Sequence, residues 1–133
     1  IATQTERGLY VPVVKHVEAL DVWGAASAMS EVVGATRDGS ATSDQLSGST
    51  FTITSLGAMG GLGATPIINK PEVGILGVHK AVERPVVVEG RIEVRRIMNL
   101  SSSFDHRVVD GWDGAMLVQR LKALLEHPAT LFM

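Results

Sequence analysis

The stretch SSSFDHRVVDGWDG, residues 101–114, sets His106 between two carboxylates, Asp105 and Asp110, with Arg107 adjoining. A neutral imidazole can take a proton from a thiol or hydroxyl near neutral pH and hand it back, an effect worth about 10²–10⁴-fold in rate. The same residues also have a structural reading. Asp110 suits the N-cap of a following helix, worth about 1 kcal/mol against Ala; Asp105 and Arg107 suit a local ion pair; and a histidine at a strand end can simply be packed there. The chain has no cysteine, which excludes disulfides, thiolate-zinc sites and a cysteine nucleophile. The serines before Phe104 do not make a hydrolase, because the strained Gly-x-Ser-x-Gly elbow is absent. No metal site is expected either: His106 and Asp110 offer two ligands at helical spacing, and His16, His79 and His127 add no complementary spacing.

A second candidate lies upstream. Thr54 and Ser55 end a strand-like run just before the glycine-dense GAMGGLGATP, where hydroxyls can point into a cleft or merely pair with backbone. The loop is not a dinucleotide fingerprint. Its glycines run Gly-x-x-Gly-Gly-x-Gly into ATPIINKP, which cannot begin a helix. What remains is a tight connection where backbone comes close to another strand or to a ligand.

Positioning these groups falls to short strands and two helices. Gly8 to Val14 is β-rich, with Pro12 tolerable only near an edge or bulge. Val22 to Arg37 carries small and apolar residues at Val22, Ala25, Ala26, Met29, Val32 and Val33, a helical stripe with Asp21 as cap and Gly39 as stop. Thr42 and Gln45 have capping-box spacing. Thr50 to Leu56 alternates as a strand, Gly74 to His79 is a short apolar strand, and PVVVEGRIEVRRIM reads as a hairpin turning at Glu89-Gly90. Asn99 to Phe104 is one more strand. A last helix starts from Asp110, gathers Leu117, Val118, Leu121, Leu124 and Leu125 on one face, and stops at His127-Pro128. Strands grouped between an early and a terminal helix predict an α+β sandwich with a largely mixed sheet and helices on one face.

Bulk properties exclude some classes. The 133 residues fit a single domain with a core, at 45% apolar and 20% charged. Twelve basic against fourteen acidic residues, net −2, provide no electrostatic footprint for nucleic acid or an anionic membrane. No apolar run reaches the length of a membrane span, and no charged-then-apolar leader is seen, so the chain reads as soluble and intracellular. IATQTERGLYVPVV opens as strand without cap or turn, which predicts a pairing partner upstream and an incomplete domain.

FDHRVVDG carries the His-x-x-x-Asp-Gly signature of coenzyme-A-dependent acyltransferases, and its Asp-His-Arg form resembles the catalytic domain of the dihydrolipoamide acyltransferases of 2-oxo acid dehydrogenase complexes. RGLYVPVV, GSTFTITSLGAMGG, TPIINKPEVGILGVHK, RPVVVEG and MNLSSSFDHRVVDG follow in that family's order and spacing, so the resemblance spans nearly the whole chain. TSLGAMGG and MNLSSSFDHRVVDG look most like the branched-chain members of bacterial complexes. The resemblance implies a two-layer α/β sandwich like chloramphenicol acetyltransferase, and a chain (1–133) that is the later portion of one acyltransferase catalytic domain without lipoyl or subunit-binding domains.

It further implies acyl transfer between dihydrolipoamide and coenzyme A. His106 would be the general base, Thr54 the hydroxyl facing the tetrahedral oxyanion, and Asp110 a residue holding the site together. Ser55, Gly77 and His79 would line the coenzyme A channel, with His79 an unusual residue there; Gln4 stands where many relatives have Asp. Coenzyme A would be a substrate, and the lipoyl group would arrive on a separate domain. The partners implied are two further copies in a homotrimer, a larger hollow core built from such trimers, and the 2-oxo acid dehydrogenase and dihydrolipoamide dehydrogenase components. The expected location is the bacterial cytoplasm, or the mitochondrial matrix of a eukaryote. Acetyl or succinyl transfer, an alcohol or amine acceptor, and a non-catalytic core module are the alternatives.

Overall fold

A computed structural model of the chain describes residues 1–132. Its centre is a three-stranded mixed sheet in the order β3 (Thr52–Thr54), β4 (Gly74–Val78), β7 (Leu100–Phe104). β3 runs parallel to β4 and β7 antiparallel to it. The parallel pair needs a long crossover, and the glycine loop and the segment through Glu72 supply it. β4 is buried along Gly74, Ile75, Leu76 and Gly77, as a near-continuous apolar run in mid-sheet requires.

Two antiparallel pairs flank this sheet: β1 (Thr3–Thr5) with β2 (Gly8–Tyr10), and β5 (Val82–Val88) with β6 (Arg91–Ile97). The β5–β6 turn has positive φ at both central residues, 50° at Glu89 and 78° at Gly90, the I′ geometry that matches strand twist. The sheet is thus mixed as expected, but its strands are shorter than the sequence suggests. β2 ends at Tyr10, so Pro12 lies beyond it and fully buried; β3 keeps three of the seven residues from Thr50 to Leu56.

α1 (Val22–Asp38) and α2 (Gly111–Glu126) match the expected helices closely. Asp21 accepts the Gly24 N–H at 2.7 Å, and Gly39 ends α1 at φ 76°. In the short helical turn Asp44–Leu46, Gln45 accepts the Thr42 N–H at 2.9 Å while Thr42 accepts the Gln45 N–H at 3.3 Å, the reciprocal box. The apolar faces are narrower than their periodicity implies. Val32 is the buried apolar residue of α1, and on α2 Leu117 and Leu125 are exposed while Val118, Leu121 and Leu124 are half-buried.

Phe104 locks α2 to the sheet. A Cβ on Gly114 would stand 2.8 Å from its ring, and one on Gly74 would stand 2.8 Å from the Phe51 ring and 3.1 Å from Phe104. Only bare backbone lets helix, ring and strand approach this closely. No helix among the described residues is long and apolar enough to cross a membrane.

Candidate active site

His106 sits in the turn between β7 and α2, the turn being drawn tight by Asp105. The Asp105 carbonyl accepts the N–H groups of Val108 and Val109, both at 2.9 Å. Its carboxylate takes the Arg107 guanidinium in a fork, Nε at 2.9 Å and Nη2 at 2.5 Å, and also the Arg107 backbone N–H at 3.0 Å. Those bonds, from the side chain first, hold the Asp105 carboxyl down to about 2 from its ordinary 3.8. Arg107 is therefore engaged by Asp105. Asp110 instead caps α2, accepting the Asp113 N–H at 3.0 Å, so its carboxylate serves the helix start rather than an ion pair with Arg107.

The imidazole itself is exposed, at the rim of a cavity of about 480 Å³ lined also by Ser102, Phe104, Asp110, Gly114 and Val118. It is not sealed in apolar packing. No cluster of three metal-ligating side chains occurs among the described residues.

Thr54 closes β3 and lines a different cavity, of about 510 Å³, shared with Ser55, Gly77 and His79. The three residues that the resemblance places along the coenzyme A channel thus all meet Thr54 on one largely apolar wall. Gln4 lies on β1, exposed, with its amide donating to the Thr5 carbonyl. Sheet register separates the two chemical groups. Thr54 is level with Gly77 and Ser101, whereas His106 follows Phe104, which is level with Gly74; three strand residues, roughly 10 Å, lie between those levels. Within one chain His106 and the Thr54 hydroxyl belong to opposite ends of the sheet and to different cavities.

One residue that anchors the strand carrying Thr54 is not legible in the sequence. Glu72, buried, collects three donors on Oε1: Ser49 Oγ at 2.5 Å, Thr52 Oγ1 at 2.8 Å and Asn69 Nδ2 at 3.1 Å. It ties β3 to the approach of β4 and so fixes the strand that carries Thr54. Its Oε2 is buried without a partner. A lone Glu between Pro71 and Val73 gives no sign of this, because all its partners but Asn69 lie twenty or more positions away.

Comparison with known proteins assigns the family. The chain is 58% identical over 133 residues to the lipoamide acyltransferase component of the branched-chain alpha-keto acid dehydrogenase complex of Pseudomonas aeruginosa, covering all of this chain and 31% of that protein. Among solved structures it is similar to the dihydrolipoamide acetyltransferase of Azotobacter vinelandii (TM-score 0.93, 39% identity, 99% of this chain and 54% of that one). It is equally similar in shape to the cubic core of the pyruvate dehydrogenase multienzyme complex (TM-score 0.93, 38% identity, 99% and 54%). The chain thus spans about a third of the length of the curated relatives it matches. The fold is that of these acyltransferase cores. Since the family model for the 2-oxoacid dehydrogenases acyltransferase (catalytic domain) matches residues 1–133, the whole chain belongs to that family.

Proposed function

We propose that the chain forms the acyl-transferring part of a branched-chain 2-oxo acid dehydrogenase complex, exchanging an acyl group between dihydrolipoamide and coenzyme A at a site completed by a second copy. The observation that carries this reading is the separation of His106 from Thr54: neither end of one chain holds both groups, so a neighbouring copy must bring them together. Large exposed apolar side chains, among them Trp23, Met59, Ile67 and Trp112, are consistent with surfaces covered on assembly. The Azotobacter enzyme adds support. A serine, a histidine and an asparagine are named for its catalytic mechanism, the serine fifty-two positions before the histidine and the asparagine four after it. Thr54, His106 and Asp110 keep that spacing.

His106 removes the proton from the thiol, and the thiolate adds to the thioester carbonyl carbon, forming a C–S bond. The Thr54 hydroxyl donates to the resulting oxyanion, a bond worth on the order of 3 kcal/mol in the barrier. Collapse breaks the original C–S bond, and the departing thiolate takes the proton back from the imidazolium. Asp110 holds the helix start beside the histidine. No metal is required by these steps. Homotrimers within a larger core, coenzyme A as substrate, the lipoyl group on another domain, the dehydrogenase partners and a cytoplasmic or matrix location complete the reading.

Subunit complementation tests it. In the full-length assembled protein, His106→Ala and Thr54→Val each suppress turnover of isobutyryl-coenzyme A. Co-assembled at equal amounts, random mixing leaves about a quarter of the interfaces with both intact groups. Activity near that fraction of wild type is the expected outcome; none above the parents would end the shared-site account. Running the wild type with acetyl- and succinyl-coenzyme A in parallel reads the acyl preference, and equal rates would remove the branched-chain assignment.

A further inference from the structure

His79 is an imidazole that the chemistry above does not use, and its surroundings give it work. It follows β4, and its ring folds back over Gly77: a Cβ on that glycine would stand 3.4 Å from Nε2. Gly77 is level with Ser101 on β7, so the bare strand position lets the ring cross to the Ser101 hydroxyl, with Nε2 and Oγ 2.9 Å apart. The backbone sets this placement too, since the His79 N–H donates to the Asn99 carbonyl at 3.2 Å. His79 is itself buried, 9% exposed.

Ser101 does not stop at the histidine. Its Oγ accepts the Ala64 N–H at 3.4 Å, from the far end of the glycine loop. Next to it Asn99 donates to the Leu62 carbonyl at 2.6 Å. The loop leaves β3 directly after Thr54 and Ser55, and its Gly60, Gly61, Gly63 and Ala64 form one wall of the cavity that Thr54 and His79 also line. Leu62 and Ser101 face away into a second cavity, of about 700 Å³. The loop and the His79–Ser101 pair are therefore the partition between two spaces. With four glycines among residues 57–63 and no regular structure beyond the turn Gly57–Met59, the loop has little stiffness of its own, and its position depends on these ties.

We propose that His79 is a positioning residue: through Ser101 it holds the glycine loop against β7 and so sets the width of the cavity beside Thr54 for the thiol-bearing arm of the substrate. The substrate class rests on the acyl-transfer reading; the latch itself does not. Ser101 fits the relay because a hydroxyl can accept the Ala64 N–H and still donate to, or accept from, the ring nitrogen, whichever tautomer is present.

Two readouts on the full-length assembled protein separate latch from chemistry. One is hydrogen exchange of the amides of residues 61–64; the other is the division of any rate loss between KM for coenzyme A and kcat. His79→Ala is expected to speed exchange and raise KM, each by about tenfold, as loss of roughly one buried hydrogen bond implies, while kcat stays within about twofold. Ser101→Ala should do the same. The double variant should be no worse than either single one, because both cut one relay, and His79→Gln, which returns a polar group near Nε2, should recover most of the loss. Unchanged exchange in His79→Ala, effects of the two substitutions that sum, or faster exchange with KM unmoved would each overturn the proposal. If the wild type has no turnover with coenzyme A, the acyl-transfer reading fails alone, and the exchange measurement still decides the latch.

Discussion

Strand β3, which carries Thr54, is anchored by buried polar side chains that reach across long stretches of sequence, whereas the turn that carries His106 is shaped by side-chain ties reaching two or three residues. Glu72 gathers Ser49, Thr52 and Asn69 at the first; Asp105 grips Arg107 and Asp110 caps α2 at the second. Buried networks are costly to break because each severed member stays dry and unpaired. Local exposed ties can be lost to water at little cost. The strand that bears Thr54 is thus tied into the buried interior, while the His106 side chain stands on an exposed turn.

His106→Ala gives the sharpest contrast. Turnover of the assembled enzyme should fall by at least about two orders of magnitude, while the thermal midpoint moves no more than an exposed surface change would move it, within about 0.5 kcal/mol. A large loss of stability would erase the distinction between the strand and the turn. Glu72→Ala is the opposite case. Three donors lose their acceptor inside the protein, and a destabilisation of about 3 kcal/mol is expected from urea unfolding. A loss below about 0.5 kcal/mol would show that water reaches this network and that the strand carrying Thr54 is no more firmly anchored than the His106 turn.

The smallest effect concerns acid. Because Arg107 keeps the Asp105 carboxyl near 2 in the folded chain, below its ordinary 3.8, the folded form releases this proton more readily than the unfolded one. The contribution is complete above about pH 4 and disappears as pH falls through 2. Screening keeps it small for so exposed a pair. Circular dichroism followed from pH 5 to 1.5 should show a flatter acid transition in Asp105→Asn than in wild type; superimposable curves would mean that the fork with Arg107 adds nothing to folding.

Legibility in the sequence divides along the same line. Asp21, Gly39, Asp110, the Thr42–Gln45 box and the Glu89-Gly90 turn all act on residues a few positions away, and the sequence exposes each of them. The strands are shorter than their local pattern suggests, because pairing is decided by a partner far along the chain: β3 ends where β4 stops opposing it. Glu72 and Ser101 were invisible for the same reason. Their partners, at Ser49, Thr52, Ala64 and His79, come close only after the chain has folded. The exposure of Trp23, Leu117 and Leu125 was missed too, since periodicity tells which side of a helix is oily but not whether anything lies against it.

The β5–β6 hairpin has a consequence of its own. Its outward face sets Pro85 across from Val94 and Val87 across from Ile92, with Glu83 and Arg96 at the base, and Val87, Ile92 and Val94 are all exposed. Among the described residues its two strands are bonded to each other and to no third strand. Such an arm loses little packing when it unzips, so its amides should exchange with solvent through brief openings of the ribbon alone, long before the central sheet lets go.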